Sequence, residues 1–376
     1  MQFLISPDLR EAISFASWQN SVPLLASLSV KNASQDPASN LELTVSNSSG
    51  YLKKKVWKID RLLAGDELVI SDCSVEFVPA YLSGLNEAEK TELLFELSKD
   101  GEVLATAEQD IRVLARDEWG GLGQGGELLA AFVMPNDPFV ASVLKSAAKI
   151  LQRHGHSAAL DGYQSKDPQR AYLLASAVWN AICGLKLTYA NPPASFETVG
   201  QKTRTPQTIA DQGLATCLDS SLLFASVIEA VGLNPIVVFT DCHCFAGVWL
   251  SERTFNQIIE PEPSELRKAI FGHELVTFET TLVTHSPAPR FEDAVKQAKS
   301  ATQEAKEGEF VAAIDIRRAR MAKITPLASH MSTLDDEQIS SPEVQSEFLP
   351  LAAPPELAGI PSSVAEEKPT AANGRN

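Results

Sequence analysis

Cys217, His243 and Glu279 are the residues of this 376-residue chain whose types and spacing could do covalent chemistry. Cys217 opens a run in which apolar residues recur at Leu218, Leu222, Ala225, Ile228 and Val231, the period of a helix, and Gly232 ends it. A thiol at a helix start feels the positive end of the helix dipole, which favours thiolate, and Asp219 in the first turn suits the same dipole. His243 lies between two apolar runs, Pro235 to Phe239 and Phe245 to Leu250, read as an antiparallel pair of strands. A helix followed at once by such a pair can set the imidazole beside the helix start. The resulting ion pair is nucleophilic near neutral pH, and the imidazolium can protonate a leaving group. A third strand, read over Leu275 to Val283, carries Glu279. A carboxylate there needs a partner, and His243 is available to be held in one tautomer by it. Glu260 and Glu274 compete for that role, one in a loop region and one at a strand edge.

Each of these residues also has a plainer reading. A cysteine in an apolar helix is usually core, and Cys73 and Cys183, among apolar neighbours, are read so. Cys242-His243-Cys244 has the look of a zinc site. However, side chains alternate along a strand, so His243 should point away from both cysteines, and no Cys-x-x-Cys pair completes a tetrahedron. No metal and no cofactor are expected. His154 and His156 bracket a helix end and are read as caps; His273, His285 and His330 have no evident partner. Gln201 is either a structural amide or a donor to an oxyanion or substrate, and both readings stand open here.

The elements that must position these groups divide the chain. Residues 1–116 alternate with period two: Leu28 and Val30, then Leu41, Leu43 and Val45, then Leu93, Phe95 and Leu97 before a tight-turn signal at Asp100-Gly101. This predicts an antiparallel β-sandwich of immunoglobulin-like shape, without the paired cysteines of antibody domains. Gly120 to Gly126 carries five glycines with no following Lys-Ser/Thr pair, so residues 117–127 are read as a glycine-rich linker and not a phosphate loop. Over 128–326 the pattern becomes helical and then mixed. Asp137-Pro138, Asp167-Pro168 and Thr205-Pro206 each pair a capping side chain with proline at the first helical position, and Gly184 reads as a stop after the second of these helices. Residues 331–376 are acidic and rich in Pro, Ser and Ala, and are expected to be a disordered tail. The expected fold class is α+β.

A formal charge of −16, with Lys53 to Lys55 as the one tight basic run, argues against direct nucleic-acid binding. No apolar run is long enough to cross a bilayer, and the first residues lack a secretory signal, so no membrane association is expected. Five cysteines without framework spacing then read as reduced thiols in a cytoplasmic protein.

The motif Cys217-x-Asp219 opening a helix, Gly232-Leu233-x-Pro235 leading into a strand, and His243-x-Phe245-x-x-Val248-Trp249 resembles the transglutaminase-like superfamily of papain-type folds. The resemblance spans roughly residues 125 to 325 and makes 128–326 a cysteine catalytic domain. More narrowly, Leu187 to Phe196 and Gly200-Gln201-Lys202-x-Arg204-x-Pro206 look like a bacterial subgroup in which a β-sandwich and this module precede helicase and nuclease domains, associated with phage defence. The resemblance implies Cys217 as nucleophile, His243 as base and Glu279 as orienting acid. It also implies a protein or peptide substrate and helicase or nuclease domains or subunits as partners. The expected reaction is hydrolysis of an amide, peptide or isopeptide, with acyl transfer to an amine, or a catalytically inactive scaffold binding protein partners, as alternatives. Two departures stand out. Ala215 occupies a position that is usually Gly, and the stretch from His243 to Glu279 is longer than usual. Residues 252–272 would be an inserted loop and short helix over the cleft edge.

Overall fold

Period-two alternation becomes two sheets in the N-terminal half of the computed structural model, which describes residues 2–194, 196–328 and 350–352. Phe3–Leu9, Leu25–Asn32 and Glu67–Val69 form a three-stranded antiparallel sheet. Ala12–Ile13, Glu102–Val113, Glu89–Lys99, Ala38–Asn47 and Lys55–Leu62 form a five-stranded one, antiparallel except at its first pairing. The inward residues of both sheets, among them Leu28, Val30, Leu43, Val45, Phe95 and Leu97, are fully buried in one apolar cluster. Asp100 and Gly101 both take positive φ, 50° and 84°, as the hairpin between Glu89–Lys99 and Glu102–Val113 requires. The basic run at Lys53 to Lys55 meets acids: Lys53 pairs with Glu76, and Lys55 with Asp72 at 2.7 Å.

The C-terminal half is a five-stranded antiparallel sheet in the order Ile259–Glu260, Phe310–Asp315, Pro235–Thr240, His243–Trp249, Leu275–Phe278. The helix Cys217–Val231 packs on its two central strands, and the helices Pro138–Arg153 and Pro168–Cys183 pack on that helix in turn. All three proline starts form as the sequence predicts. Asp137 accepts from the Phe139 amide at 2.9 Å, Asp167 from Gln169 at 2.9 Å and Thr205 from Thr208 at 3.1 Å. The Trp179 ring stacks on Phe224 with centroids 5.5 Å apart, fastening two of the helices. Among the described residues no helix is long and apolar enough to cross a membrane. The chain is thus α+β with mainly antiparallel sheets.

Gly184 ends its helix as expected, in a right-handed conformation at φ −64°, with the left-handed turn on Lys186 at φ 53°. Three expectations need correcting. Residues 252–272 do not cover the cleft edge. Their helix Pro263–Phe271 packs Leu266 and Ala269 against Ile236, Val238 and Phe245, the sheet face opposite Cys217. Alternation along those strands sends successive side chains to opposite faces; the helix of this segment packs on the far one, while Ile258 and Ile259 pack on the near one. Within the tail, residues 350–352 are seated: Ala352 is buried and its amide donates to Ser176 Oγ at 2.9 Å. The remainder of 331–376 lies outside the described residues.

The third concerns the glycine segment, which supplies close approach where slack was expected. Glu118–Trp119 pairs antiparallel with Gln201–Lys202, and Trp119 is buried against Phe239 with centroids 5.3 Å apart. A Cβ on Gly121 would lie 2.2 Å from the Thr198 carbonyl oxygen, and one on Gly200 would lie 1.9 Å from that of Trp119. The apolar cluster of the sandwich continues through Trp119 and Leu129 to Cys217, Leu222 and Phe239, so the two halves share a core across residues 117–127.

Two glycine substitutions separate strain from collision. Gly50 has φ +84° with nothing within 4 Å of a new Cβ, so Gly50→Ala should cost about 1–2 kcal/mol. Gly200→Ala adds a backbone clash to the same φ penalty and should cost more than about 4 kcal/mol. Urea midpoints measure both; equal losses would mean the crossing of the two backbone segments is not tight.

Candidate active site

The start of the Cys217–Val231 helix is fixed before any chemistry is considered. Thr216 is its N-cap, in extended conformation, with Oγ1 accepting from the Asp219 amide at 3.1 Å while Asp219 Oδ2 accepts from the Thr216 amide at 2.9 Å. The fully buried Asp219 also accepts from the Arg204 amide at 2.8 Å and from Arg204 Nη1 at 2.8 Å. A buried carboxylate with three donors around it is compensated, and it locks the 201–205 segment onto the helix start. Ala215, two residues before the cysteine, is a buried strand residue paired with Tyr189 and absent from the positive-φ positions. The left-handed residue nearby is Gly213, at φ 65°, so alanine at 215 carries no backbone strain.

His243 comes from the first position of its strand, directly after a two-residue turn in which Cys242 takes φ 56°. Its Nε2 lies 2.7 Å from Glu279 Oε2, which leaves Nδ1 for the thiol. Glu279 is not inside a strand as expected. The strand ends at Phe278, and Glu279 caps the following turn, Thr280–Thr284, with Oε1 accepting from the Thr281 amide at 3.0 Å and its hydroxyl at 2.8 Å. One carboxylate oxygen is therefore spent on holding the side chain and the other on the imidazole. Glu260 accepts from the Glu262 amide, and Glu274 pairs with Arg253, so neither rival for the acid role is on His243.

The electrostatics of the three groups are mutually dependent. Cys217, wholly buried, falls to about 6. A hydrogen bond from the Cys244 side chain is the largest cause, and with the His243 hydrogen bond and charge it outweighs burial, which opposes. Burial pulls His243 down, but hydrogen bonds and charge from Cys217 and Glu279 overcome it and raise it to about 10. Burial likewise pushes Glu279 up, and the imidazolium with the Thr281 donors brings it below the ordinary carboxylate value. Cys244 moves the other way, well above a normal thiol, through burial and the neighbouring thiolate. This is a thiolate–imidazolium pair backed by a carboxylate, the arrangement that activates a cysteine nucleophile.

The expectation that His243 points away from both flanking cysteines holds for Cys242, which is exposed at the turn, and fails for Cys244. His243 and Cys244 both reach Cys217. The ladder to the third strand begins only at Ala246–Phe278, so His243 sits at an open corner of the sheet where alternation does not confine its ring to one face. Among the described residues no group of three His, Cys, Asp or Glu side chains is arranged to hold a metal ion.

Gln201 is structural on one side and open on the other. Its Nε2 donates to Thr216 Oγ1 at 3.1 Å, while Oε1 is buried without a hydrogen-bond partner. It lines a cleft of about 420 Å³ with Asn191, Lys202, Arg204 and Thr216, the residue before Cys217. Two features escape a sequence reading. Tyr189, on a short strand pairing parallel with Leu214–Ala215, hydrogen-bonds to Cys217; burial first, then the neighbouring negative charges, push its phenol up to about 12. Ser220 and Ser221, both fully buried, meet Thr280 Oγ1 at 3.1 and 2.9 Å and tie the Cys217–Val231 helix to the residue after Glu279. Serines at this helical spacing look like ordinary helix residues until the opposite turn is known.

The pair predicts an alkylation profile. The rate of iodoacetamide reaction at Cys217 should be half-maximal near pH 6, as the thiolate is protonated on lowering pH through about 6, against about 8.5 for a free cysteine. Because His243 stays charged up to about 10, the plateau should extend to alkaline pH without a fall. Glu279→Gln should move the midpoint upward, since an amide does not balance the imidazolium. Glu260→Gln and Glu274→Gln should leave it in place; a shift from either would move the acid role there.

No protein-family model matches the sequence, and no curated protein matches it either; the functional reading therefore rests on the geometry of the site.

Proposed function

We propose that this chain is a cysteine-dependent amide or peptide hydrolase, with residues 128–326 as a transglutaminase-like, papain-type domain behind an immunoglobulin-like sandwich. One observation carries the reading: a helix-start thiolate, an imidazolium and a buried carboxylate stand in a single chain of contacts, Cys217 to His243 to Glu279.

In this reading Cys217 Sγ attacks the carbonyl carbon of an amide held in the cleft beside Thr216. The carbonyl oxygen becomes an oxyanion, and the His243 imidazolium gives its proton to the departing amine nitrogen as the C–N bond breaks. That leaves a thioester on Cys217 and a neutral imidazole. The imidazole then takes a proton from water, which attacks the thioester and releases a carboxylic acid. Glu279 stays ionised throughout and holds the ring with Nδ1 towards sulfur. The unpaired end of Gln201 supplies a polar contact for the substrate amide on the cleft wall. Tyr189 must swing from Cys217 for a substrate to reach the fully buried sulfur. Its strand is held by few bonds, the Thr188 amide to the Gly213 carbonyl at 2.8 Å and the Ala190 amide to that of Ala215 at 2.9 Å.

p-Nitrophenyl acetate tests the reading without knowledge of the natural substrate. The expected result is a burst of p-nitrophenolate matching the protein concentration, with one acetyl group on the Cys217 peptide. Cys217→Ala should abolish the burst, and His243→Ala should slow it about 10²–10⁴-fold. Release from the wild-type protein no faster than from Cys217→Ala would end the hydrolase reading and favour a scaffold.

A further inference from the structure

The hydrolytic scheme leaves one buried thiol of the site unused. Cys244 follows His243 directly, is fully buried, and lies in the same apolar cluster as Cys217, Leu218 and Leu222. Its Sγ is 3.9 Å from Ser221 Oγ, one helical turn after Cys217, and its thiol hydrogen-bonds to the Cys217 sulfur. A cysteine filling apolar space needs no such partner; any small apolar side chain would pack there. The other three cysteines are elsewhere: Cys242 is exposed at the turn, Cys183 is buried at a helix end, and Cys73 sits in the sandwich with Sγ 3.3 Å from the Ile70 carbonyl oxygen.

We infer that Cys217 and Cys244 form a peroxide-responsive oxidation site in which Cys244 is the resolving thiol. The inference rests on the reading of Cys217 as a standing thiolate. In the first step the Cys217 thiolate attacks one oxygen of hydrogen peroxide or an alkyl peroxide. The O–O bond breaks, sulfur gives up two electrons to become a sulfenic acid, and hydroxide or alkoxide leaves with the proton of the medium as water or alcohol. In the second step the Cys244 sulfur attacks the sulfenyl sulfur. The S–O bond breaks, an S–S bond forms, and the hydroxide departs with the Cys244 proton as water. The roles are unequal by environment. Cys217 carries the charge that reacts with peroxide, whereas Cys244 keeps its proton and is spared direct oxidation. The disulfide removes the nucleophile reversibly and blocks its further oxidation to sulfinic acid, which a thiol does not reverse.

The test uses the full chain treated with hydrogen peroxide and mapped as non-reduced peptides. Wild-type protein should give a Cys217–Cys244 disulfide, with iodoacetamide labelling of Cys217 lost and fully restored by dithiothreitol. Cys244→Ser keeps a hydrogen-bond donor but removes the resolving sulfur. It should accumulate sulfinic acid at Cys217 and lose at least tenfold of the labelling that dithiothreitol restores in the wild type; Cys244→Ala, which also removes the donor to Cys217 and so slows the first step, should likewise form no disulfide and show no recovery with dithiothreitol. Labelling before peroxide separates the two ideas. If untreated Cys217 reacts no faster than free cysteine, the thiolate reading itself fails and takes the inference with it. If it reacts fast, yet wild-type protein goes to sulfinic acid as readily as Cys244→Ser, or pairs Cys217 with Cys242, only the resolving role is overturned.

Discussion

A single buried carboxylate holds the working end of this molecule together. Asp219 lies in the first turn of the Cys217–Val231 helix with no exposure, and it gathers the Thr216 amide, the Arg204 amide and the Arg204 guanidinium around its two oxygens. Its own amide is held by Thr216 Oγ1, which Gln201 also contacts. An unpaired carboxylate in such a place would cost several kcal/mol, so every partner is under constraint. The helix start, the cleft wall at 201–205 and the orientation of Cys217 all follow from satisfying it. The charge also sits at the positive end of the helix, where it is favoured.

A second layer of constraint sets the distance between Cys217 and Glu279. Glu279 directly follows the edge strand Leu275–Phe278, and Cys217 belongs to a helix lying across that sheet. The hydroxyls of Ser220, Ser221 and Thr280 bridge the two in a region with no exposure. Hydroxyls left unmatched there would each cost about 1–3 kcal/mol. The same bridge therefore satisfies the buried groups and keeps the turn after Glu279 against the helix. His243 then spans a gap of fixed width. This explains how an imidazole that is about a third exposed, 32% by side chain, is held between two buried partners.

The sandwich is more than an appendage in this arrangement. Its core runs without interruption into the face of the Cys217–Val231 helix through Trp119, Leu129 and Phe239. The glycines at 121 and 200 are what allow the two backbones to cross close enough for Glu118–Trp119 to pair with Gln201–Lys202. Gln201 and the cleft are thereby anchored to the end of the sandwich as well as to Asp219. Movement between the halves would be felt at the site.

Much of this was legible in the sequence, because local physics writes it there. Alternating apolar residues set both sheets, Asp-Pro and Thr-Pro pairs set three helix starts, and Asp100-Gly101 set a hairpin. Cys217 at a helix start, with His243 on the strand pair that follows, needed only periodicity to be noticed. The tertiary structure alone decided what depends on residues distant in the chain. It put Glu279 at a strand end instead of inside it, because the ladder to its neighbour stops at Phe278. It brought Cys244 onto Cys217, against the alternation argument, at a sheet corner where pairing on one side has not begun. It set Tyr189 over the thiol through a two-residue parallel pairing too short to leave a pattern. And it turned the glycine segment from a linker into a crossing, since glycine permits slack and close approach alike and only the neighbouring backbone says which is used.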